Sequence, residues 1–208
     1  MMNNLRLYRP LPSLLSMLVL VLAAGCATPS AAPTVFDLGL LPVSSQTASS
    51  AVLPPLALAE PGGPAALESP MMLYRLAYAN DLQPRAFAQS RWSMAPAQLL
   101  GQRFKARLGQ NASAVISAVD GATNVPVVRI ETDDFTQVFD TPTHSVGLVT
   151  LRVAVFNGRL LVAQKSFTQQ RPSASADAAG GARALADASD ALISEVINWL
   201  GSLPLARR

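Results

Sequence analysis

The chain has 208 residues, half of them hydrophobic but only 6% aromatic and 14% charged, with a formal charge of +3. That length suits one domain plus a targeting segment, and the core must be built mainly from alanine, leucine and valine. Two of the sixteen basic residues, Arg6 and Arg9, precede the domain, which leaves fourteen basic against thirteen acidic side chains. With no Lys/Arg cluster to form a phosphate-binding face, nucleic acid is excluded as a partner.

Residues 1–9 (MMNNLRLYR) form a short basic region, and an apolar stretch from Leu11 to Ala24 follows. Its length fits the hydrophobic region of a signal peptide and falls short of the roughly 20 residues that span a bilayer. It ends in Leu22-Ala23-Ala24-Gly25-Cys26, where small residues let the backbone enter a peptidase active site. Cys26 is the sole cysteine, so it staples nothing within the chain; disulfide frameworks need pairs. The segment resembles a lipobox, although Ala23 stands where many such signals place leucine. That resemblance implies a diacylglyceryl group on the Cys26 thiol, cleavage before it, and acylation of the new amine. Two or three acyl chains anchor stably, whereas one is marginal. The alternatives are an ordinary signal peptide with a chance cysteine, or an uncleaved membrane anchor. Ala27 is not Asp, which in enteric-type sorting is an outer-membrane address.

The expected division is therefore a signal peptide over 1–25, a lipidated tether over 26–33 (CATPSAAP), and one α+β domain over 34–203. Thr34 to Leu41 (TVFDLGLL) reads as a first strand, and Ser44 to Ser50 as a polar loop. Val52 to Leu58 contains Pro54-Pro55, which confines any strand there to an edge or interrupts it. Glu60 to Pro70, with three prolines and two glycines, reads as a loop. Met71 to Ala79 (MMLYRLAYA) returns to strand character.

A helix is predicted from Ser93 to Leu108, with Ser93 as cap and Pro96 in its first turn. Leu100, Phe104 and Leu108 form one stripe, Arg103, Lys105 and Arg107 fall elsewhere, and Gly109 supplies the stop. Strands follow at Val125 to Thr132, Phe135 to Phe139 and Val146 to Phe156, with a bulge or turn at Asp133-Asp134. Asn157-Gly158 signals a two-residue hairpin. That loop would set Phe156 opposite Arg159, Val155 opposite Leu160 and Val153 opposite Val162. A last helix from Asp177 to about Leu200 carries Leu185, Ser189, Leu192 and Val196 on one face, with Ala182, Ala186 and Ala188 permitting close approach. The fold class is α+β: a largely antiparallel or mixed sheet with two helices packed on one face.

Chemistry is sparse. His144 is the only histidine, in a turn-like stretch (DTPTH). No Gly-rich phosphate loop, HExxH, GxSxG or Cys/His metal spacing occurs. Asp133, Asp134 and Asp140 have no further ligand beside them and read as solvated turn residues. The sequence points to no enzyme, no cofactor and no metal. Tyr74, Arg75, Tyr78, Arg85, Arg91 and Trp92 remain as an aromatic and basic group. Such residues are favoured at interaction hot spots, and Tyr74, Arg75, Arg91 and Trp92 are the candidate partner-binding residues. The other reading is that the aromatics supply the large side chains an alanine-rich core lacks.

The leader, the early strand, LYRLAYAN, SRWSMAPAQLLGQRFKARL, the strand hairpin and the closing EVINWL helix together resemble a known family. It is that of the auxiliary lipoproteins of ABC-type transport systems, the group that includes paraquat-inducible protein C. The likeness covers roughly Thr34 to Leu200 and rests on element order and the Tyr-Arg…Arg-Trp…Pro…Leu-Leu pattern. It implies a lipid-anchored periplasmic accessory subunit that associates with an MCE-domain protein and supports lipid traffic between membranes. The implied partners are a membrane, reached through Cys26, and the MCE-domain protein; self-association into a homo-oligomer stays open. A lipid-binding carrier, or an envelope lipoprotein that assists outer-membrane protein assembly, are the alternatives. The extended loop Glu60 to Pro70 and the weak strand before it depart from the family pattern.

Overall fold

The computed structural model describes residues 32–41, 53–121 and 124–205. The leader, Cys26 and the loop expected at Ser44 to Ser50 lie outside the described residues. In chain order the elements are β1 (Thr34–Phe36), β2 (Leu56–Leu58), β3 (Met71–Leu76), β4 (Asn80–Trp92) and helix α1 (Pro96–Gly109). Then come β5 (Val115–Ser117), β6 (Val127–Phe139), β7 (Ser145–Asn157), β8 (Leu160–Pro172) and helix α2 (Ala178–Ser202).

Strands β6, β7 and β8, each of 13 residues, form an antiparallel meander. Period-two alternation decides what they bury. Val149, Leu151, Val153 and Val155 are fully buried, while Thr150 and Arg152 between them face the other side. The remaining edge of β6 is shared by two strands. Ala57 and Leu58 of β2 run parallel to its start, and Tyr74 to Leu76 of β3 run parallel to its end. Beyond them β5 extends β2, β4 pairs antiparallel with β3, and β1 lies parallel to the end of β4. The sheet is therefore mixed and forks past β6.

The two helices close the core on the face carrying the buried valines. Leu100, Phe104 and Leu108 of α1 and Leu185, Leu192, Val196 and Leu200 of α2 all belong to one apolar cluster with β6 and β7. The α+β class read from the sequence is the observed one. Asp177 caps α2, its carboxylate accepting from the Gly180 N–H at 2.8 Å. Gly147 of β7 lets this helix come close, because a Cβ there would sit 2.6 Å from the Leu185 nitrogen.

Several local expectations are corrected. The first strand stops at Phe36 and the third at Leu76, so Tyr78 lies in a turn. Residues 80–92, to which the sequence pattern assigned no strand or helix, are a strand; exposure on both faces over most of its length erased the alternation that marks one. Helix α1 starts at Pro96 behind Ala95 without a side-chain cap, and the Ser93 N–H donates instead to the Phe36 carbonyl. The β7–β8 hairpin exists, but Asn157 pairs with Leu160, Phe156 with Leu161, Val155 with Ala163 and Val153 with Lys165. Gly158, at φ 60°, is the first central residue of the turn, the position glycine takes in a type II′ hairpin. A bulge past Phe156 then shifts the register again. The break expected at Asp133-Asp134 is a β-bulge inside one continuous strand.

Candidate functional site

Strands β3 and β4 form an arm at one side of the sheet. Strand β4 is 13 residues long but meets β1 only over Ser90 to Trp92. From Asn80 to Gln89 its outer edge has no neighbouring strand among the described residues. An open edge is a row of backbone donors and acceptors ready to pair with another chain. Pro84 within it suits an edge, since proline cannot donate to a ladder. Leu82 on this strand is 84% exposed.

The arm separates the four candidate residues into two pairs. Trp92 is 1% exposed and packs edge-on against Phe135, with ring centroids 5.2 Å apart. Tyr74 shares a row with the buried Gln137 and meets Phe87 at 4.5 Å and Phe139 at 5.9 Å. Neighbouring residues on a strand point to opposite faces, so Arg75 and Arg91 turn the other way. Arg91 is exposed, with Val35 on one flanking strand and Met71 on the other, these two about half exposed. Arg75 reaches across the arm, its guanidinium donating to the Asp81 carbonyl at 3.0 Å. The aromatic pair thus braces the arm from the core side, and the basic pair faces out.

Sequence reasoning missed Val35, Met71, Leu82 and the open edge. The available signal was Leu82-Gln83-Pro84, an apolar residue and a proline in a polar run, as edge strands often show.

The other residues considered take ordinary places. His144 lies in an exposed turn, its Nδ1 3.2 Å from the Thr141 hydroxyl. Asp133 and Glu131 accept from Arg152 at 2.7 and 3.0 Å, on the sheet face away from the helices. Among the described residues no group of three or more His, Cys, Asp or Glu could hold a metal ion, and no helix is long and apolar enough to cross a membrane.

This architecture defines a class: a mixed sheet with its core face under two helices and an open-edged arm at its side. The chain belongs to the family described as ABC-type transport auxiliary lipoprotein component, whose model matches residues 36–197. Its fold is similar to the crystal structure of a Xanthomonas campestris protein of the DUF330 family, at TM-score 0.68 and 19% identity, covering 80% of this chain and 93% of that one. A second solved structure, of an uncharacterized protein, gives TM-score 0.64 at 12% identity, covering 81% and 99%. No curated protein matches the chain in sequence.

Proposed function

We propose that this auxiliary lipoprotein is anchored through Cys26 to the periplasmic side of the outer membrane and docks on the MCE-domain protein of an ABC-type lipid transporter. The observation that carries the docking role is the arm. Its open β4 edge can accept an extended segment of a partner by strand addition, the mode in which main-chain bonds give affinity and flanking side chains give specificity. Arg91, set between Val35 and Met71, and Arg75, four residues further along β3 from Met71, supply the outward contacts. Tyr74 and Trp92 hold those strands in place from behind. A tether raises the effective concentration of the domain near its partner, so the contact itself need not be tight.

Affinity purification of the full chain from membranes tests this reading. Recovery of an MCE-domain protein, lost when Arg91→Glu and Leu82→Glu are combined, is the expected result. Absence of that protein from the wild-type eluate rejects it. Labelled palmitate tests the anchor separately: the wild type takes up label and Cys26→Ser does not, whereas an unlabelled wild type rejects lipidation.

A further inference from the structure

A groove of about 560 Å³ runs between α1 and the short parallel strands β2 and β5. That volume falls within the roughly 300–1,000 Å³ typical of small-molecule sites. Leu58, Pro61, Met94 and Ile116 line its apolar part. Gly101 fixes one wall, because a Cβ there would collide with the Pro61 ring, so the chain at Pro61 lies directly on the helix. Val119 stands at the groove 81% exposed, an apolar side chain left in water.

The polar part of the lining is equally specific. Gln98, Gln102 and Lys105 recur along α1 at spacings of four and three residues, which places them on one helix face above the apolar floor. Across from them is Glu60. Lys105 and Glu60 take part in no ion pair among the described residues. The groove therefore combines an apolar trough with one cation and one anion that have no partner of their own. An amphiphile with both charges in its head group satisfies all three features together.

We infer that this groove binds one acyl chain of a zwitterionic lipid, with Lys105 on the phosphate, Glu60 on the ammonium, and the chain along Leu58, Met94 and Ile116. Gln98 and Gln102 offer amide donors to the remaining phosphate oxygens. The site lies on α1 and β2–β5, and the inference stands whether or not the arm docks on an MCE-domain protein.

Photoreactive lysophosphatidylethanolamine, with a diazirine on its acyl chain, tests this in membranes holding the full lipoprotein. Peptide mapping is expected to place the label on segments containing Met94, Ile116 and Val119. Filling the groove with Ile116→Trp removes that label, and Lys105→Glu, an exposed change that leaves the core intact, lowers it about tenfold. A photoreactive fatty acid, lacking the ammonium, labels the same segments several-fold less and is indifferent to Glu60→Gln. Label spread evenly over the surface, or groove label unchanged in Lys105→Glu, overturns the inference. Equal labelling by the fatty acid overturns the zwitterionic assignment. Thermal melting of each variant separates lost binding from lost folding.

Discussion

Arg103 of α1 and Asp190 of α2 form a two-pronged ion pair, Nε to Oδ1 at 2.8 Å and NH2 to Oδ2 at 2.6 Å. The third arm of the guanidinium donates to the Gly39 carbonyl at 2.8 Å. One side chain, 7% exposed, thus ties both helices to the segment after β1. Removing one member of a buried pair strands the other charge, at a cost of about 3–5 kcal/mol. Because Asp190 keeps 21% of its side-chain surface, Asp190→Ala should lose about 3 kcal/mol in urea unfolding. Arg103→Lys should lose nearly as much, since an ammonium cannot engage both oxygens and the carbonyl in that fixed geometry. Wild-type stability in either variant would show that the pair is energetically idle.

The contact between α2 and the sheet depends on two residues without side chains. At Gly147 an added Cβ would meet the backbone of Ala184 and Leu185, 2.7 and 2.6 Å away. At Gly181 it would strike the side chain of Gln137, which is fully buried and donates to the Ser145 hydroxyl at 2.8 Å. Overpacking of this kind costs about 1–3 kcal/mol. Gly147→Ala should fall at the upper end because backbone cannot rotate away, and Gly181→Ala should also break the Gln137–Ser145 bond. Chemical denaturation ranks the two; a larger loss at Gly181 would place the tighter contact there instead.

Asp177 gives α2 a pH-dependent start. Hydrogen bonds from the Gly180 N–H and then the Ser175 hydroxyl hold its carboxyl below the ordinary carboxylate range. A lowered folded pKa means the cap stabilises the fold above the unfolded value of about 3.9 and loses that contribution as pH falls through the folded one. Asp177→Ala should cost about 1 kcal/mol at neutral pH, and the difference from wild type should vanish in strong acid. A difference that persists there would assign the loss to something other than ionisation.

What was legible in the sequence follows from how each element is buried. The β6–β7 pair and both helix stripes were visible because the buried face of each is mostly apolar, broken only by residues such as Gln137 and Ser189. Strand β4 was not, because both its faces meet water and no alternation survives. Arg103 was placed off the core by its charge, since its partly exposed partner lies 87 residues away. The β7–β8 register shifted because the same Asn-Gly pair allows glycine to be either central residue of the turn, and local sequence does not choose between them. Of the arm, the sequence showed aromatic and basic residues close together; which faced in and which out depended on strand parity and bulges. The groove on α1 had no sequence signature, for its walls come from three separate segments.

The arm separates surface function from support, and substitutions should divide accordingly. Trp92→Ala removes a side chain that packs on Phe135 in the core and should cost about 3–5 kcal/mol. Leu82→Glu changes a residue that is 84% exposed and should move stability by less than about 0.5 kcal/mol. Arg91→Glu should behave like Leu82→Glu in melting experiments, because its flanking residues Val35 and Met71 are themselves half exposed. Both surface variants should nonetheless reduce co-purification of the transporter partner, each several-fold and together more than either alone, Leu82 acting on the open stretch of β4 and Arg91 on the stretch that β1 flanks. Trp92→Ala should reduce it only in proportion to the fraction unfolded, measured by circular dichroism on the same preparation. If the two surface variants retained full co-purification while Trp92→Ala lost it without unfolding, the contact would lie on the helix-covered side, and the outward face of β4 would not be the docking surface.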